Sequence, residues 1–145
     1  KMKFALIKSA AVSIALIASA GAASACGVAS ANQFGWGHQL GVTQLGNCNN
    51  TAVEQLGWGN SATAYTDGDF NTVAIGQSGA FNQGIVGQNG FANSGGVAQT
   101  GVGNQGAVMQ NGAFNTGGVI QVGNGNTGVV NQQGVGNTAL IIQAN

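Results

Sequence analysis

Val97-Ala-Gln99-Thr-Gly101-Val-Gly-Asn104-Gln-Gly-Ala-Val108-Met-Gln110-Asn-Gly112-Ala-Phe-Asn115-Thr-Gly-Gly-Val119-Ile-Gln121-Val-Gly123-Asn-Gly-Asn126 repeats the pattern Gln-x-Gly-x-x-Asn every 11 residues. A fixed period decides the fold before composition does, because each repeat then becomes one supersecondary unit that buries itself against its neighbours.

Extended both ways, the first slot holds Gln33, Gln44, Gln55, Thr66, Gln77, Gln88, Gln99, Gln110, Gln121, Gln132 and Gln143. Glycine stands two places later in every repeat from Gly35 to Gly134. Five places later come His38, Asn49, Asn60, Asn71, Asn82, Asn93, Asn104, Asn115, Asn126 and Asn137. Two places before each Gln stand Val42, Val53, Ala64, Ile75, Val86, Val97, Val108, Val119, Val130 and Ile141. All of these but Ala64 are β-branched, which an unstructured polar tract does not produce.

Eleven residues match three turns of a right-handed supercoiled helix. Content rules that out: at least one glycine falls in every repeat, each costing about 1 kcal/mol relative to alanine in a helix, and interhelical charges are missing. A strand followed by a tight corner fits instead. Gly and Asn bracket a four-residue corner, where positive φ is expected at both. Between corners side chains alternate with period two. Asn, the residue two later, the β-branched residue and Gln then share one face, while the residue just after Asn points away. That residue is polar throughout, from Gln39 and Asn50 to Thr127 and Thr138.

Two strands make a coil of 22 residues, and the expected fold is all-β: a flat two-sheet β-solenoid of ten strands, or five coils, from about His38 to Gln143. Stacked Gln and Asn side chains form amide ladders spaced by about 4.8 Å, and stacked Val and Ile form an aliphatic ladder. These three ladders are the candidate assembly residues.

Charge narrows the function. Lys1, Lys3 and Lys8 are the only basic residues beside His38, and Glu54, Asp67 and Asp69 the only acids. Phosphate neutralisation thus lacks donors beyond residue 8, which excludes nucleic-acid binding. From Phe70 onward no side chain can serve as a general acid or base, so no enzyme activity is expected. The pair Asp67 and Asp69 is a poor calcium site without further oxygen ligands; a charged turn that slows aggregation is the plainer reading. No cofactor is implied.

The N-terminus reads as a secretory signal over residues 1–25: a basic start, an apolar run from Ser9 to Ala20 and an Ala23-Ser24-Ala25 cleavage site. A short segment, 26–32, precedes the repeat domain, 33–145. Cys26 follows the cleavage site directly, so acylation, a disulfide to Cys48 and two unpaired thiols all remain open.

In this register the chain resembles the curlin repeat family, the subunits of the extracellular amyloid fibres called curli. The resemblance rests on the Gln, Gly and Asn spacing over residues 33–143, although a Ser common early in that family's coil is not regular here. It implies a Gram-negative source, export through an outer-membrane secretion pore, nucleation by a minor subunit, and a fibre of the cell surface serving biofilm and adhesion.

The residues point the same way. The last repeat, Asn137 to Gln143, obeys the pattern with no proline or charge after it, and uncapped solenoid rungs pair with further strands. Self-assembly into a homopolymer is the expectation. An ice-binding or surface-adhesive monomer is the alternative, suggested by outward Thr116 and Thr138. Exposed Ile120, Leu140 and Ile142 suggest lateral bundling, and Trp36 and Trp58 occupy equivalent corners.

Overall fold

The computed structural model describes Ser13–Ser19 and Cys26–Asn145. Its strands are β1 (Ser13–Ser19), β2 (Val28–Trp36), β3 (Gln39–Leu45), β4 (Asn50–Trp58), β5 (Ser61–Asp69), β6 (Thr72–Ala80), β7 (Gln83–Phe91), β8 (Ser94–Val102), β9 (Gln105–Ala113), β10 (Thr116–Asn124), β11 (Thr127–Val135) and β12 (Thr138–Ala144). Odd-numbered strands form one parallel sheet and even-numbered strands the other, each in chain order. From β2 onward each strand pairs with the one 22 residues later, Val97 opposite Val119 and Gln99 opposite Gln121. The chain is therefore a two-sheet parallel β-solenoid of about five coils, as the period requires.

The repeat's first Gln slot is Gln33, but the strand that carries it begins at Val28, so β2 adds a rung before the ten expected strands. The basic start and the cleavage site of the expected signal lie outside the described residues. Within its apolar run, β1 pairs with β3, Ser13 opposite Gln39, outside the offset of 22 kept elsewhere.

Alternation holds along the strands. In β8, Gly95, Val97 and Gln99 are buried while Ser94, Ala98 and Thr100 are exposed. Twelve aliphatic residues, among them Val42, Val53, Ile75, Val86, Val97, Val108, Val119 and Val130, form one continuous core, with Ile141 partly buried against it. Full burial of such a side chain contributes roughly 1.5–3 kcal/mol. Glycine lets the sheets approach: a Cβ on Gly106 would press on Val97 from the opposite sheet.

One expectation about the corner is corrected. The Gly two places after Gln does have positive φ, 124° at Gly101, but the Asn does not. The left-handed residue is the one before Asn: Gly103 at 68°, and also the non-glycine residues Cys48, Phe70, Phe81, Ala92 and Phe114 at 53° to 59°. Reversing the chain one residue earlier lets Asn enter the next strand with its amide already directed inward. At Gly101 a Cβ would overlap the carbonyl oxygen of Gly123 on the next rung, which is why this slot admits only glycine.

Candidate functional site

The site is distributed along the solenoid axis, in the ladders the repeat lays down. In the even sheet Gln33, Gln55, Gln77, Gln99, Gln121 and Gln143 form one unbroken chain, each Nε2 donating to the next Oε1 at 2.5 to 2.9 Å. All four interior members are buried. Each also uses its second N–H: Gln99 donates to the backbone oxygen of Gln83 in the opposite sheet at 2.9 Å, and Gln77 likewise to Ser61. One amide thus stitches rung to rung and sheet to sheet, satisfying the polar groups that a buried Gln brings with it.

In the odd sheet the ladder runs Gln88, Gln110, Gln132 at 2.8 Å. It stops at Thr66, whose hydroxyl is too short to reach. Gln44, expected in this ladder, instead donates to Thr51 Oγ1 at 2.8 Å and to Val28 O at 3.1 Å.

Asn ladders occupy the two edges. On one, Asn49, Asn71, Asn93, Asn115 and Asn137 are linked by Oδ1 accepting from the backbone N–H of the Asn on the next rung, at 2.9 to 3.1 Å. On the other, Asn60, Asn82, Asn104 and Asn126 do the same at 3.0 to 3.1 Å. Each interior Nδ2 also donates to the carbonyl of the corner glycine above, as Asn104 does to Gly123 at 2.9 Å. Asn137 lies on the last rung and is exposed.

His38, the exception in the Asn slot, takes over that role. Its Nδ1 accepts from Asn60 N at 3.2 Å and its Nε2 donates to Phe34 O at 3.0 Å, while the ring is buried. An imidazole in this tautomer offers one acceptor and one donor, as Asn does.

No family model, curated protein or solved structure matches this chain. Its functional reading rests on its own geometry.

Cys26 and Cys48 are joined in a disulfide with Cα atoms 4.4 Å apart, resolving the three options for Cys26 in favour of pairing. Asp69 Oδ1 accepts from Asn47 N at 2.7 Å, linking the corners of two successive rungs. Tyr65 donates to Asp67 at 3.4 Å, and desolvation together with the Asp67 charge raises its phenol. Trp36 and Trp58 stand opposite each other on adjacent rungs, both exposed.

Two features escaped the reading of the sequence. The bonds from Gln to the opposite sheet span 16 residues, a separation invisible to an 11-residue comparison. Phe70, Phe91 and Phe114 form an edge column with centroids 5.5 and 5.6 Å apart. They occupy two different slots of the repeat, so comparison slot by slot separates them; the signal was their crowding at successive corners of one edge.

Proposed function

We propose that this chain is the structural subunit of an extracellular curli-like amyloid fibre, polymerising end to end by continuing its own rungs. The observation that carries this reading is the polarity of the even-sheet ladder. Every amide donates toward the C-terminal rung, so Gln143, bonded to Thr127 O, has a second N–H to offer. At the opposite end Gln33 Oε1 is buried with no partner among the described residues. A buried acceptor without a partner costs about 1–3 kcal/mol, which a donor from another copy would recover. Removal of residues 1–25 as a secretory signal takes β1 off the edge of β3; because both sheets repeat the same slots, the C-terminal rung of one molecule is then complementary to the N-terminal rung of the next, and parallel in-register pairing extends the solenoid.

The resemblance to curlin repeats extends the proposal to a secreted fibre of a Gram-negative cell surface. Its partners are then a nucleating subunit and an outer-membrane pore, and its role lies in biofilm matrix and adhesion. Ice binding has less support: the outward column holding Thr116 and Thr138 continues as Ser94, Thr72 and Asn50, a single mixed row.

The test is incubation of the purified protein cleaved after Ala25, with thioflavin fluorescence, electron microscopy and fibre diffraction. Unbranched fibres with a meridional spacing of about 4.8 Å are expected. A protein that stays monomeric for days at micromolar concentration would overturn the reading.

A further inference from the structure

The outer face of the even sheet is uneven in a regular way. Two outward columns run along it in register: Ala74, Gly96, Gly118, Leu140, and Gly76, Ala98, Ile120, Ile142. Small residues on β6 and β8 leave a shallow depression of about 310 Å³, walled by Ile120 and Leu140. Ile120, Leu140 and Ile142 stand beside it as a ridge, 39%, 61% and 67% exposed. Trough and ridge lie on neighbouring strands of one face.

We propose that this face pairs with the same face of a second copy, in antiparallel orientation, and that this pairing bundles the fibres. The inference rests on the fibre reading above. The geometry selects the occupant and its direction. A twofold axis along the strands, between β8 and β10, places β6 opposite the partner's β12 and β8 opposite the partner's β10. Position along the strand is preserved by that axis, so Leu140 meets Ala74, Ile142 meets Gly76 and Ile120 meets Ala98. Each large side chain enters a space left by a small one, as an interdigitated dry interface requires.

Parallel pairing does the reverse. It sets β12 against β12, so that Leu140 and Ile142 of the two copies collide while the small residues of β6 and β8 face one another across a gap. It also sets β4 against β4 and brings Glu54, the outward residue preceding Gly76 in its column, close to a second Glu54, and like charges across such a contact are destabilising.

Size explains when the pairing acts. Four rungs at about 4.8 Å by two outward residues cover roughly 300 Å² on each copy, well below the roughly 800 Å² per partner of a stable complex. Single molecules therefore stay apart, whereas a fibre repeats the patch with every subunit and the weak contacts add.

The test is a size swap across the interface. A Cβ at Gly76 meets nothing within 4 Å among the described residues, so Gly76→Ile suits the fold. Wild type, Gly76→Ile, Ile142→Gly and the double variant are compared for elongation by thioflavin kinetics and for mass per length by scanning transmission microscopy. Gly76→Ile is expected to elongate at the wild-type rate, and both it and Ile142→Gly are expected to halve the mass per length, as single filaments. The double variant is expected to regain paired filaments, the large side chain now standing on β6 and entering the space opened on β12. Gly76→Ile fibres that bundle like wild type, or a double variant that stays single, overturn the pairing while leaving the fibre intact. Absence of any wild-type fibre overturns the fibre reading and this inference with it.

Discussion

Thr66 and Gln88 stand opposite each other in register between β5 and β7, yet Thr66 Oγ1 and Gln88 Oε1 are both buried without a hydrogen-bond partner among the described residues. Everywhere else along the interior Gln columns from Gln55 on, the corresponding oxygen accepts an axial amide bond. The odd-sheet ladder is thus split at one rung, and Gln44 beyond the break turns to Thr51 and Val28.

Thr66→Gln is expected to close the ladder, because the longer side chain reaches Gln88 Oε1. Net stabilisation of about 1 kcal/mol follows from one new hydrogen bond and one rescued acceptor. Guanidinium unfolding of wild type and variant gives the comparison; a lowered midpoint for Thr66→Gln would show that the site cannot hold the amide.

Gln99→Leu attacks the even ladder at its centre. Gln99 accepts from Gln77 and donates to Gln121 and to Gln83 O, and its loss strands three polar groups in the interior. A cost of about 3 kcal/mol is expected at roughly 1 kcal/mol per bond, against almost none for Gln105→Leu, which faces solvent. Equal losses for the two would mean that the interior amides carry no special weight.

Gly101→Ala and Gly103→Ala separate close approach from conformation. Both glycines have positive φ, but of the two only Gly101 would set a Cβ against the next rung, while at Gly103 nothing among the described residues lies within 4 Å. Gly103→Ala should fold with a loss of about 1 kcal/mol, and Gly101→Ala should fail to reach wild-type strand content in circular dichroism.

Phe81 and Phe114 share the left-handed conformation at φ 56°. Phe81 is 68% exposed, so Phe81→Asn, which tolerates that conformation better, should raise stability by up to about 1 kcal/mol. Phe114 also meets Phe91 edge to face at 5.6 Å, an aromatic contact worth about 0.5–1.5 kcal/mol. Phe114→Asn should therefore be neutral or destabilising, and thermal unfolding of the pair of variants reads the difference.

The disulfide between Cys26 and Cys48 closes a loop with a sequence separation of 22, a constraint worth about 3 kcal/mol. Reduction should increase amide hydrogen exchange in β2 and β3 and leave β7 to β10 protected. Uniform loss of protection would show that the first coil is not an independent unit of stability.

Much of the fold was readable because the repeat couples two periods. Alternation along a strand told inward Val97 and Gln99 from outward Ala98, and the interval of 11 residues placed a corner after each strand. The candidate ladders were readable for the same reason: a residue type kept in one slot is stacked on itself by the coil. His38 shows the limit, since its equivalence to Asn lies in donor and acceptor placement and not in residue type.

What the sequence by itself determined, then, is everything that depends on a residue's own slot: inside or outside, strand or corner, and which neighbours lie a whole coil away. Only the tertiary structure decided what depends on distance across the interior or between unlike slots. The reach of Gln99 to the opposite sheet, the gap left by a short Thr66, the left-handed residue standing before each Asn and the meeting of Phe70 with Phe91 all belong there. A strand pattern fixes the direction in which a side chain leaves the backbone; how far it extends, and what it finds at the end, is set by the separation of two sheets that the pattern does not encode.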